Sequence, residues 1–599
     1  MQEPYKGAGL AALFTAQARR TPDAIAVVAG DLALSYRELD ARADRLAARL
    51  TALGVRAESM VAVLQERSAE LIVSLLAILK AGGVYVPLHA GYPAARMELI
   101  LGDVGADVLL VDRAMLPAVP THAATLLQVD EADGADSFGE VPALPGGPVP
   151  AAQLAYVMYT SGSTGVPKGV AISQQAVAHF AADPCWRDSS SQGRVLLHSP
   201  YAFDLSTYEL WVPLLNGGQV VVAPPGYVDA NVLRSLIDRY RLTAVSLTAG
   251  LFAAIADTAP EVFAPLHEVS TGGDVVNPGA LARVRENCPD TVIRHMYGPT
   301  ETTLIATYAV LTPDWQPDRP APLGRPREGM RAYLLDSRCA PVPVGAAGEV
   351  YLAGPGLGRG YVNRPALTAE RFVPDPFGPP GERMYRTGDL ARERPDGDLE
   401  FLGRVDDQVK IRGYRVELGE IEAVLAGHPD IRQAAVTAEE VEGNRQVVAY
   451  VVPAEGTRLS VQELCAHVGW ALPEYMTPAV FVQLRQLPLT PNGKVDRKAL
   501  PGLRDEATER ARSPEGALAV SRLPHTRQEA VLCDLYAEVL ALPRVGIDDN
   551  FFELGGNSLK AIRLVGRVRA ELGLELPVRR LFAAPTPAQL LAQPAGEVR

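Results

Sequence analysis

Positive charge is in short supply. Lys and Arg number 57 against 70 Asp and Glu, a formal net charge of -13 at pH 7. A surface built for nucleic acid or for anionic membrane needs a basic face, so this balance argues against both, although a local site can still be positive. Cysteine is also scarce. The five cysteines, Cys185, Cys288, Cys339, Cys465 and Cys533, lie far apart with no CxxC pair or Cys/His cluster. That excludes a disulfide framework and a structural zinc site as expectations, and it suits a reducing cytoplasm. Long apolar runs are missing too. The longest, around Leu71 to Leu79, is broken by Ser74 and followed by Lys80, too short to span a bilayer. The first residues carry Glu3, Pro4 and glycines where a signal peptide needs an apolar run, so no leader is expected.

What remains is an ordinary globular composition, 48% hydrophobic and 21% charged, over 599 residues. That length is too great for one hydrophobic core. To about residue 400, short β-branched runs alternate with helical patterns. Val61 to Leu64, Asp107 to Val111 and Gln219 to Ala223 read as strands, and Ala69 to Lys80 as a helix stopped by Gly82 and Gly83. The alternation predicts an α/β sheet with helices on its faces. The texture changes near residue 405. The expected division is a large α/β core over 1–404, a smaller α+β subdomain over 405–500, a linker rich in Arg, Glu, Ala, Pro and Ser over 501–523, and an all-α four-helix bundle over 524–595.

The most informative segment is Tyr159-Thr-Ser-Gly-Ser-Thr-Gly-Val-Pro-Lys-Gly169, after the apolar run Leu154 to Met158. Gly162, Gly165 and Gly169 let the backbone approach a ligand closely. Thr160, Ser161, Ser163 and Thr164 supply hydroxyls and Lys168 a positive charge, a set able to wrap a polyphosphate. It is not a Walker A loop, because the lysine spacing differs and no Ser or Thr follows Lys168.

This loop resembles the signature of the adenylate-forming superfamily, and the resemblance runs in order along the chain. Leu34-Ser-Tyr-Arg-Glu-Leu39, Leu79 to Pro87, Phe203-Asp-Leu-Ser206, Tyr297-Gly-Pro-Thr-Glu301, Gly348-Glu349 with Arg359-Gly-Tyr361, and Tyr385-Arg-Thr-Gly-Asp-Leu390 are similar to motifs of nonribosomal peptide synthetase adenylation domains. So are Gly403 to Glu422, Leu472-Pro-Glu-Tyr-Met476 and Asn492-Gly-Lys-Val-Asp-Arg497. His89 and His295 depart from the usual residues at their positions.

The resemblance implies ATP and Mg²⁺ as cofactors and a role for each matched residue. Glu301 would hold Mg²⁺ and Thr300 contact the α-phosphate, although Glu301 after Pro-Thr also reads as a helix cap. Asp389 would accept the ribose hydroxyls, Tyr297 lie against adenine and Arg404 touch the ribose. Lys494 would bridge the substrate carboxylate and the ribose and phosphate oxygens while charge develops. Asp406 would be a hinge between an adenylating and a thiolating pose. In the second pose Ile411 to Arg415 would enter the site, with Gly413 lining the path of a thiol.

Near the end, Asp549 to Leu559 resembles the attachment motif of peptidyl carrier domains, with Ser558 the residue for covalent 4′-phosphopantetheine. Ser558 opens the amphipathic run Leu559, Ile562, Val565, Val568. A helix start offers free N–H groups to a phosphodiester, and it is also a place for a plain N-cap serine.

Motif spacing puts Asp204, Leu205, Tyr208, Ser246, Ser270, Gly272, Met296, Leu304, Ile305 and Lys494 around the amino acid. Only Asp204 and Lys494 are charged, and they serve the α-amino and α-carboxylate groups. The side chain bound is therefore expected to be neutral. Small Ser246, Ser270 and Gly272 leave depth for a larger side chain with a polar tip; Tyr208 filling that depth would select a small one. The expected function is activation of an L-amino acid to its adenylate and loading onto the chain's own carrier, in nonribosomal peptide or antibiotic biosynthesis. The alternatives are an aryl or fatty acid coenzyme A ligase, which typically lacks an acid at Asp204, or an inactive carrier scaffold. Expected partners are a phosphopantetheinyl transferase, a helper of the MbtH type, and a downstream tailoring enzyme or synthetase module. No HHxxxDG or thioesterase GxSxG signature is present, which reads as a stand-alone loading pair.

Overall fold

The computed structural model describes residues 7–130, 150–162, 165–186, 193–226, 228–312, 315, 320–406, 408–411, 413–441, 444–457, 459–490, 495–504, 522–540, 542–551, 554, 558–574, 580–581 and 584–592. Ser163, Thr164, Lys494 and most of the expected linker lie outside them. The chain divides into two compact units, one ending at Arg415 and the other starting at Val416, with 163–165 assigned to the second.

The first unit is built on two large sheets. Five strands of the seven-stranded sheet run parallel: Leu154–Thr160 (β1), Val84–Pro87, Met60–Leu64, Val108–Val111 and Thr125–Gln128. Lys168–Ser173 (β2) then turns back antiparallel to β1, pairing Thr160 with Lys168. The nine-stranded sheet holds Ala244–Thr248 (β3), Glu268–Gly272 (β4) and Val292–Tyr297 (β5) side by side and parallel. The helix Leu205–Asn216 (α1) packs between the sheets. So does Ala69–Lys80, in which every residue from Leu71 to Leu79 is buried. A helix with a sheet on each face has no side left for water, so its sequence is apolar all round. Helices Ala230–Tyr240, Ala249–Thr258 and Pro278–Asn287 cover the outer face of the nine-stranded sheet, and Ala94–Val104 the outer face of the other. The strands and the helix expected from 61, 69, 107, 154 and 219 onward are all present.

A third sheet pairs Arg383–Glu393 (β6) with Leu399–Arg404 (β7), placing Asp389 opposite Arg404. Beyond it, Val409–Ile411 (β8) and Tyr414–Val416 (β9) form a two-stranded ribbon. The expected boundary at 404/405 therefore falls too early, because ion pairs and hydrogen bonds carry the first unit on to Arg415, as the site below details.

In the second unit, Leu418–Ala426 (α2) and Val461–Ala471 (α3) accompany a three-stranded sheet of Ile431–Val441, Asn444–Pro453 and Val480–Gln483. Its core continues through Leu500 and Leu503, and Arg504 pairs with Glu439 at 2.7 Å. The linker expected from 501 thus starts after a packed segment, since these side chains have apolar and charged partners. At its other end Arg522 pairs with Asp548 at 3.0 Å. Arg527–Leu540 (α4), Ser558–Leu572 (α5) and Pro587–Ala592 (α6) then enclose a small core around Leu535, Tyr536, Phe551 and Leu564. Tyr536 and Phe551 meet edge to face at 5.2 Å, and the backbone N–H of Phe551 donates to Pro585 O. Three helices are seen here among the described residues. Ser558 starts α5, as the sequence pattern expects.

Candidate functional site

The site is assembled where the loops leave the ends of the parallel strands. Asp204 occupies the N-cap position of α1, but its side chain caps nothing. It accepts instead a hydrogen bond from Thr300 Oγ1 at 2.6 Å. Burial raises its pKa, against the pull of the Thr300 hydroxyl and of Lys410. Thr300, expected at the α-phosphate, here joins the Asp204 carboxylate to the segment that bears Glu301. Behind α1, Glu209 accepts from the Ser199 N–H and hydroxyl, and His198 Nε2 meets Ser246 O at 2.8 Å. Burial pushes Glu209 up to about 8 and His198 down to about 4. This polar knot ties α1 to β3, the elements that carry Asp204, Tyr208 and Ser246.

Glu301 is fully buried in a short turn, Thr300–Thr302. Its carboxylate accepts from Tyr361 Oη at 2.7 Å and from Arg415 at 3.0 and 3.1 Å, with Lys168 Nζ 3.9 Å away. Burial alone would raise its pKa; Arg415, Lys168 and the Tyr361 hydroxyl outweigh that and hold it at about 2. The carboxylate is thus more than a cap. Past the turn, Thr303 and Leu304 both lie in the left-handed region, at φ +58° and +72°. Thr303 Oγ1 is anchored to Gly356 O at 2.8 Å. Two consecutive non-glycine residues there indicate backbone strain held by the surroundings, beside a pocket residue.

Asp389 is engaged on both oxygens. Tyr297 Oη donates to Oδ2 at 2.6 Å and Arg404 pairs with Oδ1. Arg404 also reaches Asp406 at 2.7 Å. Each carboxylate oxygen keeps a second lone pair, so Asp389 can still accept from a ribose. The candidate hinge Asp406 is therefore fastened to the candidate ribose site by one guanidinium.

In the glycine-rich loop, Ser161 Oγ donates to Arg415 O at 2.6 Å. Thr160 Oγ1 is buried with no hydrogen-bond partner among the described residues. A Cβ on Gly162 would lie 1.8 Å from Val166 O, so only glycine fits there. An orphaned hydroxyl, a buried lysine and a backbone too close for any side chain together fit a polyphosphate.

Residues of the β8–β9 ribbon lie in the site. Lys410 Nζ sits 5.9 Å from the Tyr297 ring and Tyr414 packs edge-on against Phe203 at 4.7 Å. Gly413 has φ +83°, and a Cβ there would come within 2.9 Å of the Thr248 side chain.

The strand residues expected at the pocket share one face of the sheet. In register, Ser246 pairs with Ser270 and Ser270 with Arg294, while Gly272 pairs with Met296. Tyr208 from α1, together with Met296, Ile305 and partly buried Leu205 and Leu304, belongs to the same apolar cluster. Tyr208 is fully buried, and Trp186 backs it at 5.0 Å. Of the departures, His295 bonds Pro322 O at 2.7 Å and His89 packs on Tyr92 and Phe203.

Sequence reasoning missed Arg415, Tyr361, Trp186 and the Glu268–Arg294 pair. Arg415 and Tyr361 stood inside quoted motifs without a role. Trp186 has no motif around it.

Loss of the Glu301 charge tests the buried cluster. Glu301→Gln should cost about 3–5 kcal/mol at neutral pH, because Arg415 is left buried without its counter-charge. The pKa of Glu301 is lowered from 4.5 to about 2, so its contribution is full above 4.5 and is lost as pH falls toward 2. The gap in thermal midpoint between wild type and Glu301→Gln should therefore shrink below pH 4.5; an equal gap at pH 7 and pH 3.5 would contradict the arrangement.

A hydroxyl-rich loop with a buried lysine, an anionic carboxylate and a paired aspartate–tyrosine site define a ligase that forms an acyl-adenylate from ATP. Comparison with known proteins agrees. Residues 14–362 match the model of the AMP-binding enzyme family, 420–494 that of the AMP-binding enzyme C-terminal domain, and 530–593 a phosphopantetheine attachment site. The chain is similar to a dimodular nonribosomal peptide synthase of Bacillus subtilis (strain 168), 42% identical over 97% of this chain and 24% of that protein. It is 43% identical to the phosphinothricin tripeptide synthetase PhsB of Streptomyces viridochromogenes, over 96% of this chain and 48% of that one. It thus spans less than half the length of these curated relatives. Among solved structures it resembles holo-PA1221, an NRPS protein containing adenylation and PCP domains bound to a vinylsulfonamide inhibitor. The TM-score is 0.81 at 30% identity, covering 98% and 96% of the two chains. An artificially fused adenylation–PCP di-domain NRPS from Klebsiella oxytoca gives 0.73 at 29%, covering 79% and 93%. The chain belongs to the AMP-binding enzyme family. It is an ATP-dependent, AMP-forming ligase joined to a phosphopantetheine carrier domain.

Proposed function

We propose that the chain activates a neutral L-amino acid with ATP and loads the aminoacyl group onto Ser558 of its own carrier domain. The observation that carries this reading is Asp204: a half-buried carboxylate with no capping role, hydrogen-bonded to Thr300 at the head of the pocket helix. An α-ammonium is the natural counter-ion for it. An aryl or fatty acid would leave that carboxylate without a counter-charge, which disfavours the coenzyme A ligase alternative.

In the first step a substrate carboxylate oxygen bonds to the α-phosphorus of ATP, and the bond to pyrophosphate breaks. Two anions must meet, so the site has to screen charge. Lys168 and the hydroxyls of Thr160, Ser161, Ser163 and Thr164 would hold the β- and γ-phosphates. Asp389 and Arg404 would fix the ribose, and Tyr297 the adenine. Lys494 would bind the carboxylate and the bridging oxygens as charge develops. Glu301 is anionic at any working pH, with its pKa at about 2, and fits as the ligand for Mg²⁺. Bound Mg²⁺ supplies positive charge to the phosphates.

In the second step the acyl carbon passes to a thiol and AMP leaves. A 4′-phosphopantetheine arm on Ser558 supplies that thiol. Asp406 would be the hinge between the steps, and Gly413, which admits no side chain beside Thr248, would line the thiol's path. A phosphopantetheinyl transferase must install the arm. We place the chain in a cytoplasmic antibiotic or secondary-metabolite pathway. There it would hand its amino acid to a tailoring enzyme or synthetase module, assisted by an MbtH-type helper. Among the described residues no helix is long and apolar enough to cross a membrane.

The test is pyrophosphate exchange across the amino acids, with and without such a helper, and with benzoate and a fatty acid as controls. A neutral amino acid should drive exchange. Preference for Asp, Glu, Lys or Arg would overturn the neutral pocket, and exchange with the controls alone would overturn amino-acid activation.

A further inference from the structure

Pocket residues alone leave the substrate's size open, and the packing behind them decides it. Tyr208 is fully buried and Trp186 closes the space beyond it at 5.0 Å, with its indole N–H donated to Phe180 O at 2.8 Å. These two aromatic rings fill the apolar cluster that the pocket residues Met296 and Ile305 also enter, which takes up depth on the α1 side.

The floor beneath is polar. Ser270 Oγ donates to Glu268 Oε1 at 2.9 Å, and Glu268 is held by Arg294 at 2.9 and 3.0 Å, all of it buried. With its proton committed to Glu268, the Ser270 oxygen faces a ligand as an acceptor. One strand over and in register, Ser246 is fully buried, and its Oγ has no hydrogen-bond partner among the described residues. Strand alternation aims it at the pocket: Val245 and Leu247 enter the outer core, while neighbouring Ala244 joins the cluster that contains Tyr208. Strand neighbours stand about 4.8 Å apart, so one small group can lie between the two hydroxyls.

We infer that the pocket selects a short neutral side chain ending in a hydroxyl or thiol, of the serine, threonine or cysteine type. This rests on the amino-acid-activating reading above. Such a group accepts from Ser246 Oγ–H and donates to Ser270 Oγ. That completes a chain of hydrogen bonds ending on the Glu268–Arg294 pair and relieves the orphaned hydroxyl. An apolar isostere leaves Ser246 unpaired and is rejected for that reason.

Pyrophosphate exchange with the full chain compares threonine with valine, and serine and cysteine with 2-aminobutyrate; phenylalanine and tyrosine probe size. The wild type should favour the hydroxyl or thiol member of at least one pair by roughly tenfold or more in kcat/KM. Both aromatic amino acids should be poor substrates. Ser246→Ala should shrink the favoured ratio to within about threefold, since the group that penalised the isostere is gone. Removing an unpaired buried hydroxyl should leave the thermal midpoint unchanged or higher. Equal or better activation of the apolar isosteres, or preference for an aromatic side chain, overturns the inference while leaving amino-acid activation standing. Exchange with no amino acid overturns both.

Discussion

Ser558→Ala should abolish covalent loading and leave amino-acid-dependent pyrophosphate exchange unchanged. The substitution removes only the hydroxyl that would anchor the prosthetic arm, and every residue proposed for adenylation lies before residue 500. The intact mass should show no phosphopantetheine increment after incubation with a transferase, and no thioester-bound amino acid. Ser558 is the first residue of α5. If it also caps that helix, the loss is about 1 kcal/mol, small enough to be checked by circular dichroism before the mass is read. A folded Ser558→Ala protein that still gains the arm and a labelled amino acid would place the attachment elsewhere.

Lys494→Ala is expected to divide the two half-reactions the other way. Adenylate formation should fall by about 10²-fold or more, the scale for losing one preorganised electrostatic contact to a developing charge. Acyl transfer from chemically supplied aminoacyl-adenylate to the carrier should suffer far less. Lys494 lies outside the described residues, so its assignment stands on the Asn492 to Arg497 motif and on the family. The cations that the first unit itself brings to Glu301 are Arg415 and Lys168. If exchange in Lys494→Ala stayed near wild type, one of those would have to take the role proposed here. Arg415→Ala would then be the variant to measure.

The parts of this molecule that could be read from sequence are those in which neighbours along the chain act together. The glycine-rich loop is such a case: Gly162, the hydroxyl residues and Lys168 follow one another closely in the sequence between β1 and the start of β2, so the string alone brings them together. Asp389 is another, fixed by its own strand and paired with Arg404 on the next. The Thr300–Asp204 hydrogen bond and the Arg415–Glu301 pair were invisible for the opposite reason. Each joins residues about a hundred positions apart, and nothing local distinguishes a threonine that meets a phosphate from one that meets a carboxylate. Pocket size stayed open in the sequence for the same reason: Trp186, which packs on Tyr208, comes from a segment with no motif around it. The unit boundary was placed early because Val405 to Asp407 look like a turn between domains. The long-range pairs of Arg415, which extend the first unit, leave no periodic trace.

The nine-stranded sheet carries a cost in time. Its strand Ile25–Ala29 lies beside Gln219–Val222, with Val27 opposite Val220. Its hairpin partner Leu32–Ser35 follows at once, but about two hundred residues must emerge from the ribosome before its parallel neighbour does, a wait of roughly 10–40 s at ordinary synthesis rates. Loop closure over such a separation is slow to be rewarded by contacts. Through that interval the hairpin Ile25–Ala29/Leu32–Ser35 lacks its parallel neighbour, and the helix Ala69–Lys80 lacks the sheet on one of its two faces. Slow translation or a truncated chain ending before Gln219 should favour aggregation over folding, and expression trials that shorten the chain for crystallography are better cut from the carrier end.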